Sequence, residues 1–270
     1  MTSRPFQYAV LALFALYALA PVYLVLLASM RSEADLFAGP LSFPWPPDPA
    51  NYLRVWTESG FSRFFLNSVV MAGGATILVL LTAPLAGFAF AKLDFRYKEL
   101  IFALFLAGLV VPAPSVIVAL YGNLAGLGLL DTHLGVILPQ AALLMPFSVF
   151  MMRTVMQDVP NELIEAATMD GASLPETFVK VVLPVVRPGL MSLTLIIFLF
   201  SWQEYLLPLV VIQTEELKPL TVGAATLQGR YGVDYGGIAA AGAIAFMPLV
   251  ILFLAMQRSF VRGLTAGAVK

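Results

Sequence analysis

Six stretches of the chain stay apolar long enough to cross a bilayer. About 30 Å of hydrocarbon takes roughly 20 helical residues, and such runs lie at about 8–28, 68–91, 100–121, 134–152, 189–212 and 236–257. None shows the short alternating segments of a membrane β-barrel. Lipid offers no partner to a backbone N–H, so each run predicts a helix. The first run carries no charge from Tyr8 to Ala28. It exceeds the apolar core of about 7–15 residues in a signal peptide, and an uncleaved helix is expected.

Between the fourth and fifth runs the pattern changes. The segment 157–187 is polar and reads as two short helices. Asp158 and Pro160 stand where a helix starts, and Glu162 and Glu165 sit in its early turns near the positive end of the dipole. Ala166 and Ala167 favour helix and are small enough for close approach. Asp170-Gly171 ends that helix, since glycine tolerates a left-handed cap. Ser173 and Glu176 form a capping-box pair for a second helix. Leu174, Phe178, Val181 and Val182 give it one apolar face. Pro184 is expected to stop it, and Pro188 to mark entry into the fifth span.

Composition agrees with a membrane solvent. Hydrophobic residues make up 60% of the 270 and charged residues only 11%. So few charges cannot cover a water-facing surface. The net charge of −1 gives no field suited to nucleic acid. With no cysteine and one histidine, disulfides, thiolate metal sites and HExxH zinc chemistry find no residues.

Lys and Arg set the orientation. With six spans, ten basic residues fall on the side of the termini and five on the other. The short loop with Lys92, Arg96 and Lys98 weighs most. The expected fold is an all-α integral membrane protein, one domain over 1–270, with both termini and the 157–187 loop cytoplasmic. The loops 31–66 and 213–235 face outward.

The order Glu165-Ala166-Ala167, Gly171, Val181 and Leu183-Pro184 resembles the EAA loop of the membrane subunits of binding-protein-dependent ABC importers. Isoleucine is usual where Val181 stands. The resemblance continues in Asn51-Tyr52, Phe65-Leu66-Asn67-Ser68 and Trp202-Gln203-Glu204-Tyr205, although asparagine is commoner at Gln203. The tail from Gln257 to Lys270 is similar to that of the smaller maltose-type permeases. These features favour the carbohydrate branch. The resemblance implies a type I importer permease core in the cell (inner) membrane of a bacterium or archaeon. It implies coupling through Glu165, Ala166, Ala167, Asp170, Gly171, Ala172, Phe178, Leu183 and Pro184 to a cytoplasmic ATPase. The implied partners are a second permease subunit in a heterodimer, two ATPase subunits and an extracytoplasmic solute-binding protein. No cofactor is expected on this chain; ATP and Mg would sit on the ATPase partner. A glycerol-phosphate compound is the alternative solute.

Absences in the sequence fit that scheme. There is no GxxxxGK[ST] run for ATP phosphates, no ladder of intramembrane acids and no evident internal repeat of a secondary carrier. A self-contained carrier, or a membrane enzyme acting on lipid-linked substrates, is a competing class. Trp202, Gln203, Glu204 and Tyr205 are candidates for a solute pathway, because an acid inside an apolar span is a functional candidate. The other reading of Glu204 is a hydrogen bond to a neighbouring helix near the outer interface. Prolines at 84, 112, 114, 139, 146, 208 and 248 serve either as hinges or as packing kinks. Gly73-Gly74 and the 236–242 run suit close helix contact. His133 suits a membrane interface, and Phe43-Pro44-Trp45-Pro46-Pro47 an interfacial anchor.

Overall fold

The computed structural model describes residues 4–32, 35–36, 47–57, 60–224, 228–229 and 232–266, with side chains described among these up to 224 and from 234 to 257. Most of the 43–47 stretch and the last residues of the tail lie outside these.

Four helices among the described residues are long and apolar enough to cross a membrane: α1 (Arg4–Ser29), α3 (Phe61–Lys92), α6 (His133–Gln157) and the 235–257 part of α11 (Tyr235–Ala266). A short helix α2 (Ala50–Thr57) precedes α3. Helices α3 and α6 form the most extensive pair in the fold, α9 (Arg187–Trp202) packs on α3 and α11, and α1 lies along α11. The core between α3 and α6 holds Val79, Ala83, Phe88, Val149, Met152 and Met156. Gly87 permits that contact. A Cβ there would fall 2.6 Å from Met152 Cβ and 3.0 Å from the Arg153 backbone nitrogen. A Cβ on Gly74 would meet the Ile137 side chain at 2.8 Å, whereas one on Gly73 would meet nothing within 4 Å.

The other two expected spans are not single helices. The third is split into α4 (Lys98–Ala107) and α5 (Ala113–Gly126). Pro112 caps the start of α5 and Pro114 stands in its first turn, where a missing N–H costs no helix bond. The fifth is split into α9 and α10 (Leu206–Val211) by Gln203–Tyr205. Pro208 cannot donate to the Glu204 carbonyl, which instead accepts the Thr221 hydroxyl at 2.7 Å. By contrast, α3 continues through Pro84, α6 through Pro139 and Pro146, and α11 through Pro248. A two-stranded antiparallel hairpin, Gln228–Gly229 with Gly232–Val233, precedes α11 and is the one departure from helix among the described elements.

Between α6 and α9 stand α7 (Asn161–Met169) and α8 (Leu174–Val185). α8 does not stop at Pro184. It widens to a π turn over Phe178–Val182, where the Leu183 N–H reaches the Phe178 carbonyl. The wider turn accommodates Pro184, which cannot bond in the α pattern. The chain then bends by 79° at Val186 into α9.

Candidate coupling hairpin, far-end junctions and family

The α7–α8 hairpin is fastened to the helix pair at several points. Lys92, the last residue of α3, donates to the Val159 carbonyl at 2.5 Å and to Asn161 Oδ1 at 2.8 Å. Phe178 is buried with its ring 5.2 Å from Phe88. Val182 and Val186 join the same core, and Leu183 packs at its edge. At this end Arg153 also bonds Glu99 at 2.6 Å while lying over the Phe102 ring.

The turn between α7 and α8 follows the expectation from Asp170-Gly171. Gly171 has φ +82°, and its N–H donates to the Thr168 carbonyl. The Ala172 N–H reaches back to the Ala167 carbonyl at 3.0 Å. Those two bonds are the pair that closes a helix on a left-handed residue. Nothing lies within 4 Å of a Cβ at Gly171, so backbone conformation and not space calls for glycine.

Glu176 closes the start of α8. Its Oε2 accepts the Ser173 N–H at 3.0 Å and the Ser173 hydroxyl at 2.8 Å, and Oε1 accepts Lys180 Nζ at 2.9 Å. Lys180 first, then the two Ser173 donors, lower its pKa to about 2. The lowered pKa fixes the sign of the pH effect. The contact stabilises the hairpin fully above the ordinary value of 4.5 and is lost as pH falls through the folded value of about 2. Hydrogen-exchange protection at the first turn of α8, relative to the intrinsic rate at each pH, is expected to fall as pH drops through that window. Glu176→Ala should exchange fast at every pH; equal protection in both proteins would remove the capping role.

The remaining sequence-chosen residues of the hairpin divide into two sets. Ala167 is only 9% exposed and offers little surface of its own. Leu163, Ala166 and Met169 point outward at intervals of three, and Met169 is 87% exposed. Glu165, Asp170 and Pro184 are exposed and Ala172 is half-buried. The expected apolar face of α8 splits in the same way. Phe178 and Val182 are buried and Val181 half-buried, but Leu174 is exposed. Sequence reading passed over Leu163, Met169, Lys92 and Phe88; an isolated methionine inside a polar loop was the available signal.

The opposite end is tied by polar side chains. Asn51 Nδ2 donates to the Ser29 and Arg31 carbonyls at 3.1 and 2.8 Å, closing the C-terminus of α1. The Tyr52 hydroxyl lies 2.6 Å from Ser29 Oγ. Arg54 pairs with Asp234 at 2.8 Å, and Asp234 accepts the Gly237 N–H at the start of α11. A Cβ on Gly236 would strike Asn51 Nδ2 at 2.7 Å. Asn67 Nδ2 holds the Glu216 and Lys218 carbonyls, and its Oδ1 meets His133 Nε2 at 3.0 Å. His133 is thus half-buried in a polar contact. Asp131, at φ +57°, accepts the Gln213 and Thr214 N–H groups at 2.9 Å and the Thr214 hydroxyl. The Thr214 hydroxyl, and then its N–H, lower the pKa of Asp131.

The four candidate pathway residues do not share one cavity. Trp202 is buried, donates from its ring nitrogen to the Ala245 carbonyl at 2.9 Å, and packs on Phe198 and Phe65. Trp202 and Gln203 line a cavity of about 410 Å³ with Phe61, Thr221, Ala241 and Phe246. Glu204 lines a second, small pocket that Trp202 also borders, and its Oε1 accepts the Leu207 N–H at 3.0 Å, capping α10. Tyr205 is exposed and lines neither. Among the described residues, no three His, Asp or Glu side chains converge as metal ligands.

Comparison with known proteins gives a consistent picture. The family described as "Binding-protein-dependent transport system inner membrane component" matches residues 83–266. The diacetylchitobiose uptake system permease protein NgcG of Streptomyces coelicolor is 32% identical, over 97% of this chain and 87% of its own length. The arabinooligosaccharides transport system permease protein AraQ of Halalkalibacterium halodurans is 34% identical, over 96% of this chain and 94% of its own. The fold is similar to a chain in the crystal structure of a bacterial ABC transporter that imports the acidic polysaccharide alginate. That match has a TM-score of 0.83 and 23% identity, and covers 96% of this chain and 99% of the other. The chain therefore belongs to the binding-protein-dependent transport system inner membrane components, the multi-pass permease subunits of ABC importers.

Proposed function

We propose that this permease subunit carries a sugar or oligosaccharide inward, delivered by an extracytoplasmic binding protein and driven by ATP and Mg on two separate cytoplasmic ATPase subunits. It pairs with a second permease subunit as a heterodimer. Both termini and the α7–α8 hairpin face the cytoplasm. The hairpin seats in the ATPase through Glu165, Ala166, Asp170, Gly171 and the outward Leu163 and Met169. Ala167, Ala172, Phe178 and Leu183 hold its shape from within, and Pro184, exposed, follows the π turn that shapes its far end. The names of the diacetylchitobiose and arabinooligosaccharide relatives support the solute class.

One observation carries the coupling role: an outward apolar stripe, ending in Met169, sits on a hairpin fastened by Lys92 and Phe178 to the central helix pair. A lever must be stiff to be useful. Moving a two-state gate from 1:99 to 99:1 takes about 5.5 kcal/mol, and a frayed hairpin would lose that through local motion. A partner that grips the stripe differently in two states can bias the gate.

The test is reconstitution of the assembly in liposomes with labelled oligosaccharides. Uptake that requires ATP, the ATPase and the binding protein is the expected result. Uptake driven by an ion gradient without the ATPase would overturn the proposal. The same assay separates two roles for Glu204. A capping role survives Glu204→Gln, which keeps the acceptor oxygen, and suffers in Glu204→Ala; loss in both assigns its charge to the solute pathway.

A further inference from the structure

The break between α9 and α10 brings polar groups together inside an apolar core. Gln140 of α6 and Ser201 of α9 are 3% and 5% exposed. Gln140 Nε2 donates to the Ser201 carbonyl at 3.1 Å. The other amide atom, Gln140 Oε1, and the Ser201 hydroxyl have no hydrogen-bond partner among the described residues. Both residues line a pocket of about 10 Å³, together with Ser68, Met71, Glu204 and Pro208. Ser68 Oγ accepts the Leu220 N–H at 2.8 Å, and a hydroxyl that accepts can also donate.

Buried polar atoms without partners are rare and call for an explanation. The dimensions here supply one. A water needs roughly 10–15 Å³ of probe-occupied room and two to four polar partners. We propose that this pocket binds a single structural water molecule. The water donates to Gln140 Oε1 and accepts from the Ser201 and Ser68 hydroxyls. It joins α3, α6 and α9 beside the break at Gln203–Tyr205. A hard cation fits less well in about 10 Å³, because it gathers six or more oxygens or keeps its own waters. The water makes the helix break a bridged joint: α9 is held to its neighbours while α10 is held separately by its Glu204 cap. This inference does not depend on the identity of the transported solute.

The experiment is pulsed X-ray hydroxyl-radical labelling of the intact assembly, read by mass spectrometry. Radicals formed from a bound water oxidise the side chains beside it. Met71 lines the pocket and is 3% exposed, whereas Met152 and Met156 are fully buried in the apolar core. Met71 is expected to oxidise several-fold faster than the other two. Gln140→Leu should remove the difference and the milder Ser201→Ala should reduce it, so the test survives if the first variant fails to insert. Equal rates in the unaltered protein, or Met71 oxidation untouched by the Ser201 substitution, would overturn the water. A parallel melting series in sodium, potassium and choline chloride identifies a cation. Equal midpoints exclude a bound sodium or potassium ion and leave the decision to the labelling; a sodium- or potassium-dependent rise that Gln140→Leu or Ser201→Ala abolishes would assign the pocket to an ion and refute the proposal.

Discussion

Ala166→Arg is expected to abolish ATP-driven uptake and to prevent co-purification of the ATPase, while the chain still inserts and binds its permease partner. Ala166 is exposed on α7 between Leu163 and Met169 and makes no contribution to the core. An arginine there costs the free chain almost nothing, because a surface helix accepts it. Against a close-fitting groove it adds bulk and a charge that must be desolvated, and an unpaired buried charge is among the most costly changes an interface can suffer. Met169→Asp should act in the same direction. Ala167→Arg serves as the contrast, because it places the same side chain at a buried position and should unfold the loop. Retention of the ATPase by Ala166→Arg at the normal yield would remove the stripe from the docking surface. Loss of inserted protein in that variant would show that Ala166 acts within the chain.

Gly87→Ala is expected to destabilise the permease by about 1–3 kcal/mol, the range for overpacking a close contact, and Gly87→Leu to abolish folded assembly. The added carbon would meet Met152 Cβ and the Arg153 backbone, not the far end of a flexible side chain. Relief requires α3 and α6 to separate, and that separation loosens Met152, Met156 and Phe88 together. The hairpin depends on the same joint, since Phe178 packs on Phe88 and Lys92 continues α3 into the hairpin contacts. Gly73→Ala is the control: its Cβ meets nothing within 4 Å, and alanine is the better helix former by about 1 kcal/mol. Melting of the purified complexes should rank the unaltered protein and Gly73→Ala well above Gly87→Ala. A Gly87→Ala midpoint equal to that of the control would show that the α3–α6 contact yields freely.

Apolar run length located the helical segments, because lipid leaves a backbone no choice but internal hydrogen bonding. It could not distinguish a continuous helix from a broken one. Pro84 and Pro139 are crossed, whereas Pro112 and Pro208 lie at breaks. At the second break the Glu204 carbonyl, which Pro208 cannot bond, accepts the Thr221 hydroxyl, a partner supplied from elsewhere in the chain.

The hairpin was the most legible part because its bonds are local. Glu176 is three residues from Ser173, and Gly171 needs only its own φ. Its face was less legible. Ala166 and Ala167 are adjacent and chemically identical, yet one points outward and the other packs inside. Asn51 and Asn67 stood out as family-like residues without an assigned task; the fold places their amides on carbonyls at least 20 residues distant. The sequence by itself determined the solvent, the helices and the capped hairpin, all consequences of short-range pattern. Only the tertiary structure decided which helices break, which side chains of the hairpin are free and what Glu204 bonds, because those outcomes depend on partners that distant segments bring into contact.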